Sequence, residues 1–377
     1  MASAVAAQAR PASAGGIQFT NPNSRLQSKF IARLDELGLR QHVAASTVRD
    51  GSLQFALAGE FAERFVPGWD TTSLCAELLL DTVASITDLD CEIVLAMLAA
   101  PAPLRFPNFE EFQAAIGIRR HIVLAARRTQ LAFGTSEAER PPSHWTYRDG
   151  AGFILLPGVP LVEALEKATQ PAPGEPLFAF SCYRATEYVI LLAIARELGR
   201  VNPGLLARLQ RQWETRSIKS GQYHDTFLYE YGSAQDPVPK GYYVPGDRVW
   251  FRNPDELSSD ASGYEGSWVI YLGNGLFSNF WKRDRPYSLA DKLVEIFHWR
   301  HGIYRDGEGE LRVDETIVEA RAQATLANPE RMQEVIRRMG RWRDPNGVYA
   351  GGGCIDTSRE FPRYVCEGTA DIILPQT

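Results

Sequence analysis

What this sequence lacks narrows the field first. None of its five cysteines (Cys75, Cys91, Cys182, Cys354 and Cys366) forms a Cys-x-x-Cys pair. No zinc-finger or thioredoxin-type framework is therefore expected, and no metal or cofactor is called for. An odd cysteine count in a long chain points to a reducing compartment, so a cytoplasmic location is expected. The one disulfide considered is Cys354 with Cys366, across a loop. No apolar run is long enough to span a bilayer. There is no Lys/Arg run either, and a formal net charge of −6 leaves no basic footprint for nucleic acid or a membrane surface. The segment Met1–Gly16 is Ala/Ser-rich with a single arginine. Without a charged start followed by an apolar run, it does not read as a secretory signal. No internal repeat is visible.

What is present is a soluble globular composition, 45% hydrophobic and 23% charged. Residues 1–24 read as a disordered tail. Residues 25–105 read as a helical N-terminal extension. In it Leu26, Phe30, Ile31, Leu34 and Leu37 share one helical face, a second helix covers about 52–65, and a third turns Leu74, Leu78, Leu79, Val83 and Ile86 inward. Residues 106–300 form the core. A long helix begins after Asn108, with Arg119, Arg120, Arg127 and Arg128 as a solvated stripe. A hairpin turns at Asp149-Gly150, and a second is signalled by Gly273-Asn274-Gly275. Residues 221–241 read as an aromatic loop around His224. Residues 301–377 read as a helical C-terminal extension.

The core is organised around the stretch from Pro176 to Arg200. Ser181 is a helix cap, and Cys182 falls at the first helical turn. The eight residues from Tyr188 to Ala195 are all apolar or aromatic, so this helix is expected to be buried on every side. Free amides and the positive dipole end at a helix N-terminus stabilise thiolate over thiol, which predicts a lowered Cys182 pKa and a nucleophile. A small buried core cysteine is the alternative that position alone leaves open.

The order of elements, a buried cysteine helix followed by antiparallel strands, is α+β and resembles the papain-like arrangement. Five segments carry a narrower resemblance: Phe112–Ala132, Trp145–Ala168, Phe178-Ala-Phe-Ser-Cys182, Pro245-Gly-Asp-Arg-Val-Trp-Phe-Arg-Asn-Pro254 and Gly266-Ser-Trp-Val-Ile-Tyr-Leu-Gly273. In this order they look like the spore-coat type of bacterial protein-glutamine gamma-glutamyltransferase. The resemblance covers about half of the chain, from Phe106 to Arg300. It implies a papain-like core at 106–300 as the catalytic domain, with no calcium requirement. It also implies an isopeptide crosslink between glutamine and lysine of protein substrates, made through a thioester on Cys182. The amide N–H of Cys182 is the natural oxyanion donor.

Three positions depart from that family. Ser181 stands where it has a glutamate before the cysteine, Ser267 where it has a second glutamate, and Asn279 where it has a histidine. Two substitutes are available for the base. Glu265 lies two residues before Ser267 and would share its side of a strand, provided partial burial raised its pKa. His224 has a side chain that titrates in the right range. Trp250, Trp268 and Trp281 read as sheet packing. Two rival functions stay open: a cysteine amidase or peptidase in which water replaces lysine, and a catalytically silent binding module on the same fold.

Overall fold

Six short strands make the central sheet, in the order Tyr287–Ser288, Leu276–Phe277, Gly266–Gly273, Arg248–Arg252, Arg359–Pro362, Leu228–Tyr231, antiparallel throughout. The computed structural model describes residues 15–134, 138–345 and 352–375. The helix Cys182–Val201 packs on this sheet at Gly266–Gly273. It is covered elsewhere by the helices Phe109–Arg128 and Leu161–Thr169. Tyr188 to Ala195 are buried without exception, as an all-apolar helix requires. The fold is therefore α+β, with a buried cysteine helix on an antiparallel sheet. Both hairpins form where turn residues signal them: Trp145–Arg148 pairs with Gly152–Leu155, and Gly266–Gly273 turns through Asn274 into Leu276–Phe277.

The N-terminal block differs from the helical extension expected. It holds a four-stranded sheet, ordered Val43–Thr47, Leu53–Leu57, Gly16–Phe19, Pro103–Phe106, flanked by helices Ser24–Glu36 and Ile86–Leu98. The disordered tail expected over 1–24 does not reach that far. Residues 1–14 lie outside the described residues, but Gly16–Phe19 is a buried inner strand, hydrogen-bonded on both edges. The helix expected near 52–65 is instead a strand followed by the shorter helix Gly59–Phe65. The inward face drawn through Leu79, Val83 and Ile86 is exposed. Asp81 accepts hydrogen bonds from the amides of Val83 and Ala84, and Ser85 caps the next helix. Local turn chemistry there ends the helical face at Leu78.

Of the arginine stripe, Arg128 is exposed as expected and the other three are not solvated. Arg119 is buried against Asp247 at 2.7 Å, Arg120 and Arg33 share Asp90, and Arg127 donates to the carbonyls of Thr82 and Leu272. Of these ties, Arg120 to Asp90 and Arg127 to Thr82 fasten the block to the core.

The C-terminal region carries the helices Glu315–Leu326 and Pro329–Met339, yet it is no appendage. Its strand Arg359–Pro362 lies inside the central sheet. Cys354 and Cys366 are both free and buried. The Cys354 thiol donates to the Arg252 carbonyl, while the Cys366 amide is bound by Glu111, so their surroundings hold them apart from any pairing.

Phe19 packs against Phe30, Phe55, Phe106 and Phe112 at ring separations of 5.3–6.2 Å. Phe19→Ala is expected to cost about 3–5 kcal/mol of stability, as for other buried phenylalanines. A shift of the urea midpoint at unchanged slope checks it; a neutral result would mean the strand is dispensable.

Candidate active site

Cys182 opens its helix, and the Ser181 hydroxyl accepts from the Arg184 amide at 3.3 Å, closing the cap. Just before it, Ala179–Phe180 pairs in parallel with Ala132–Phe133. That two-residue ladder brings Phe133 beside the cysteine, where its ring meets Trp281 and Tyr264 edge-on.

Two hollows meet at Cys182. The shallower, of about 310 Å³, has aromatic walls from Tyr183, Trp250 and Trp268, with Glu265 on its edge. The deeper, of about 340 Å³, runs past Ser267 and Asn279 to Lys292 and Glu295, and is closed by the helix Glu315–Leu326. Phe133, Gly263 and Gly266 border both. Gly266 has no room for a side chain, because a Cβ there would lie 2.3 Å from the Trp250 indole nitrogen. Trp250 and Trp268 stack at 5.7 Å and 12°. They face the hollow as well as the sheet, so packing is only part of what they do.

The electrostatics of the thiol depart from expectation. Burial pushes Cys182 above the ordinary thiol range. The amides of Trp268 and Tyr183, which point at the sulfur, and the charges of Lys292 and Arg248 oppose that shift without reversing it. Behind the cysteine, Arg248 is buried between Tyr183 and Trp268, 4.3 and 4.1 Å from their ring centroids. It donates to Thr186 at 2.9 Å and to Glu360 at 2.9 Å.

His224 and Glu265 sit in different places. His224 is in a helix, Ser220–Phe227, rather than a loop, and its Nδ1 lies 3.0 Å from Glu360. It touches neither hollow and reaches the cysteine region only through Glu360 and Arg248. Glu265 does line the shallow hollow, but it precedes the strand, which begins at Gly266, and is exposed. The partial burial its expected role requires is missing. Asn279 is tied to its own loop, donating to the Arg285 carbonyl and accepting from the Lys282 amide, both at 3.0 Å. Sequence reasoning missed Lys292, Glu295 and Phe133. A lysine in a helix is a surface residue by default, and nothing in the local pattern marks Lys292 otherwise. Among the described residues, no group of three or more His, Cys, Asp or Glu is arranged to hold a metal.

The hydrogen bond that His224 donates to the Glu360 carboxylate raises the His224 pKa above its ordinary value, and burial only partly opposes it. Stability from this pair is thus fully present below the unfolded value of about 6.5 and is lost as pH rises through the folded one. An NMR titration should place the His224 midpoint above that of a free imidazole. The stability difference between wild type and His224→Gln should shrink from pH 6 to pH 9. A midpoint at or below the free value would contradict the pairing.

The protein-glutamine gamma-glutamyltransferase family matches residues 72–352. Among solved structures, a transglutaminase from Geobacillus stearothermophilus without its C-terminal extension is similar, at 19% identity and a TM-score of 0.40, over 57% of this chain and 98% of that one. None of the curated proteins compared matches.

Proposed function

Because the chain belongs to the protein-glutamine gamma-glutamyltransferase family, we propose that it joins protein glutamine to protein lysine, with Cys182 as the nucleophile. The observation that carries this reading is the placement of the Cys182 thiol at a helix N-terminus where two hollows meet. Acyl transfer between two large substrates needs two approaches to one sulfur.

The Cys182 thiolate attacks the glutamine carboxamide carbon. A C–S bond forms, the C–N bond breaks, and ammonia leaves with a proton. The amine of a lysine then attacks the thioester. A C–N bond forms, the C–S bond breaks, and the thiolate is restored as the amine gives up its proton. Each tetrahedral oxyanion needs a donor, and the Cys182 amide is the candidate. The aromatic walls of Tyr183, Trp250 and Trp268 suit the polypeptide that carries the glutamine. Glu265 is the exposed carboxylate on that side, at the rim of the shallower hollow.

Five segments, from Phe112 to Gly273, support the spore-coat type of bacterial enzyme within this family. Five free cysteines agree with a cytoplasmic location, and no described helix is long and apolar enough to cross a membrane. We propose the segment 106–300 as the catalytic part, completed by the helix Glu315–Leu326 and the strand Arg359–Pro362. One observation favours a silent binding module instead: Ser267 and Asn279 are neutral, and Asn279 is spent on its loop.

The test is incorporation of a labelled amine into a glutamine-bearing protein. Wild type should incorporate and Cys182→Ala should lose all signal. Glu265→Gln should fall by on the order of a hundredfold if that carboxylate carries the protons. Ammonia release without incorporation would make the protein an amidase. Inactivity with many acceptors would leave the binding module.

A further inference from the structure

We propose that Lys292 is the charge partner of the Cys182 thiolate, a buried ammonium that faces the sulfur across the deeper hollow. The inference deepens the acyl-transfer reading and rests on it only for its purpose. The pairing itself concerns the thiol and can be tested without any substrate.

Lys292 lies on the helix Leu289–Gly302 and is only 3% exposed. Its position follows from the turn before it, where Ser288 and Asp291 cap each other's backbone amides and fix the first turn. Burying an ammonium is costly unless it is paired. Here Nζ lies 2.6 Å from Glu295 and 3.6 Å from the centre of the Tyr287 ring. The Tyr287 hydroxyl donates to the other oxygen of Glu295 at 3.1 Å, so one carboxylate serves two donors. An ammonium has three N–H donors. Glu295 takes one of them, the Tyr287 ring covers the ammonium, and Lys292 lines the same cavity as Cys182.

The other charges around the thiol are paired elsewhere or remote, although Arg248 keeps one buried nitrogen, Nη2, without a hydrogen-bond partner. Arg248 is held by Glu360 and Thr186. Lys282 and Arg285 are exposed on the outer lip, the former paired with Glu319. Asp291 is used in the helix cap, Glu315 accepts from Tyr264, and Glu265 is exposed at the rim. Ser267 and Asn279, on the near wall, carry no charge. Of the charges acting on the sulfur, Lys292 has the largest effect, and it favours the thiolate. When the thiol ionises, its proton leaves to water through the cleft.

The test is the rate of Cys182 alkylation by iodoacetamide in the intact chain as a function of pH, read on the Cys182 peptide by mass spectrometry. Lys292→Met should move the midpoint up by about one pH unit and slow the reaction at neutral pH roughly tenfold. Lys292→Arg should restore most of it. Glu295→Gln removes the opposing charge and should move the midpoint down. An unchanged midpoint in Lys292→Met overturns the inference. If that variant does not fold, Glu295→Gln decides: a downward shift supports it, and an unchanged or upward one overturns it. Amine incorporation is measured in parallel. A wild type that incorporates nothing while its alkylation depends on Lys292 sinks the acyl-transfer reading and leaves this one standing.

Discussion

A helix whose middle, from Tyr188 to Ala195, is apolar on every face has to be covered on every face there. That constraint builds the rest of the molecule. Each of Val189, Ile190, Leu191, Leu192 and Ile194 stabilises the fold by about 1.5–3 kcal/mol when buried, and all five are fully buried. The helices Phe109–Arg128 and Leu161–Thr169 and the strand Gly266–Gly273 are the surfaces that bury them. With its flanks occupied, the helix meets solvent at its ends: Gly199 and Arg200 are exposed at the C-terminal end, and at the N-terminal end the cleft forms around Cys182.

The same burial works against the thiolate. A helix N-terminus is worth roughly 0.3–1 kcal/mol to an anion, and about 2 kcal/mol in favourable partly buried sites. Desolvation can raise a thiol by up to about 3–5 pH units, at about 1.4 kcal/mol each. Burial therefore wins over the dipole, which is the direction found for Cys182. A sulfur in such a place needs charge as well as amides, and that gives the buried cations beside it a chemical reason. Arg248 and Lys292 sit on different elements, and each carries its own carboxylate, Glu360 and Glu295. Removing one member of such a pair leaves the other uncompensated, which is why both pairs hold together.

The terminal regions serve this centre directly. The strand Arg359–Pro362 supplies Glu360 from inside the sheet, next to Arg248. The helix Glu315–Leu326 closes the deeper hollow. The N-terminal block is fastened through Asp90, which Arg120 reaches from the core, and through Thr71, which is hydrogen-bonded to the backbone of Tyr243. A division of the chain into a core with two appendages does not describe how the charges are shared.

Short-range chemistry was legible in the sequence. The cap at Ser181, the unbroken apolar run after Cys182, the start of the long helix after Asn108 and the turns at Asp149-Gly150 and Gly273-Asn274-Gly275 are each decided by neighbours a few residues away. They appear where the residues put them. The strand Gly16–Phe19 could not be read this way, because four residues become a strand only when Leu53–Leu57 and Pro103–Phe106 lie on either side. The fate of the charges was hidden for the same reason. Arg119, Arg248 and Lys292 look like surface residues until distant carboxylates or a covering ring remove them from water. By itself the sequence determined the buried helix, its cap and the cysteine at its mouth, since local hydrogen bonding and periodicity suffice for those. Only the tertiary structure decided which charges face that cysteine, because an ion's partner is chosen by distance in space and by the water that packing excludes.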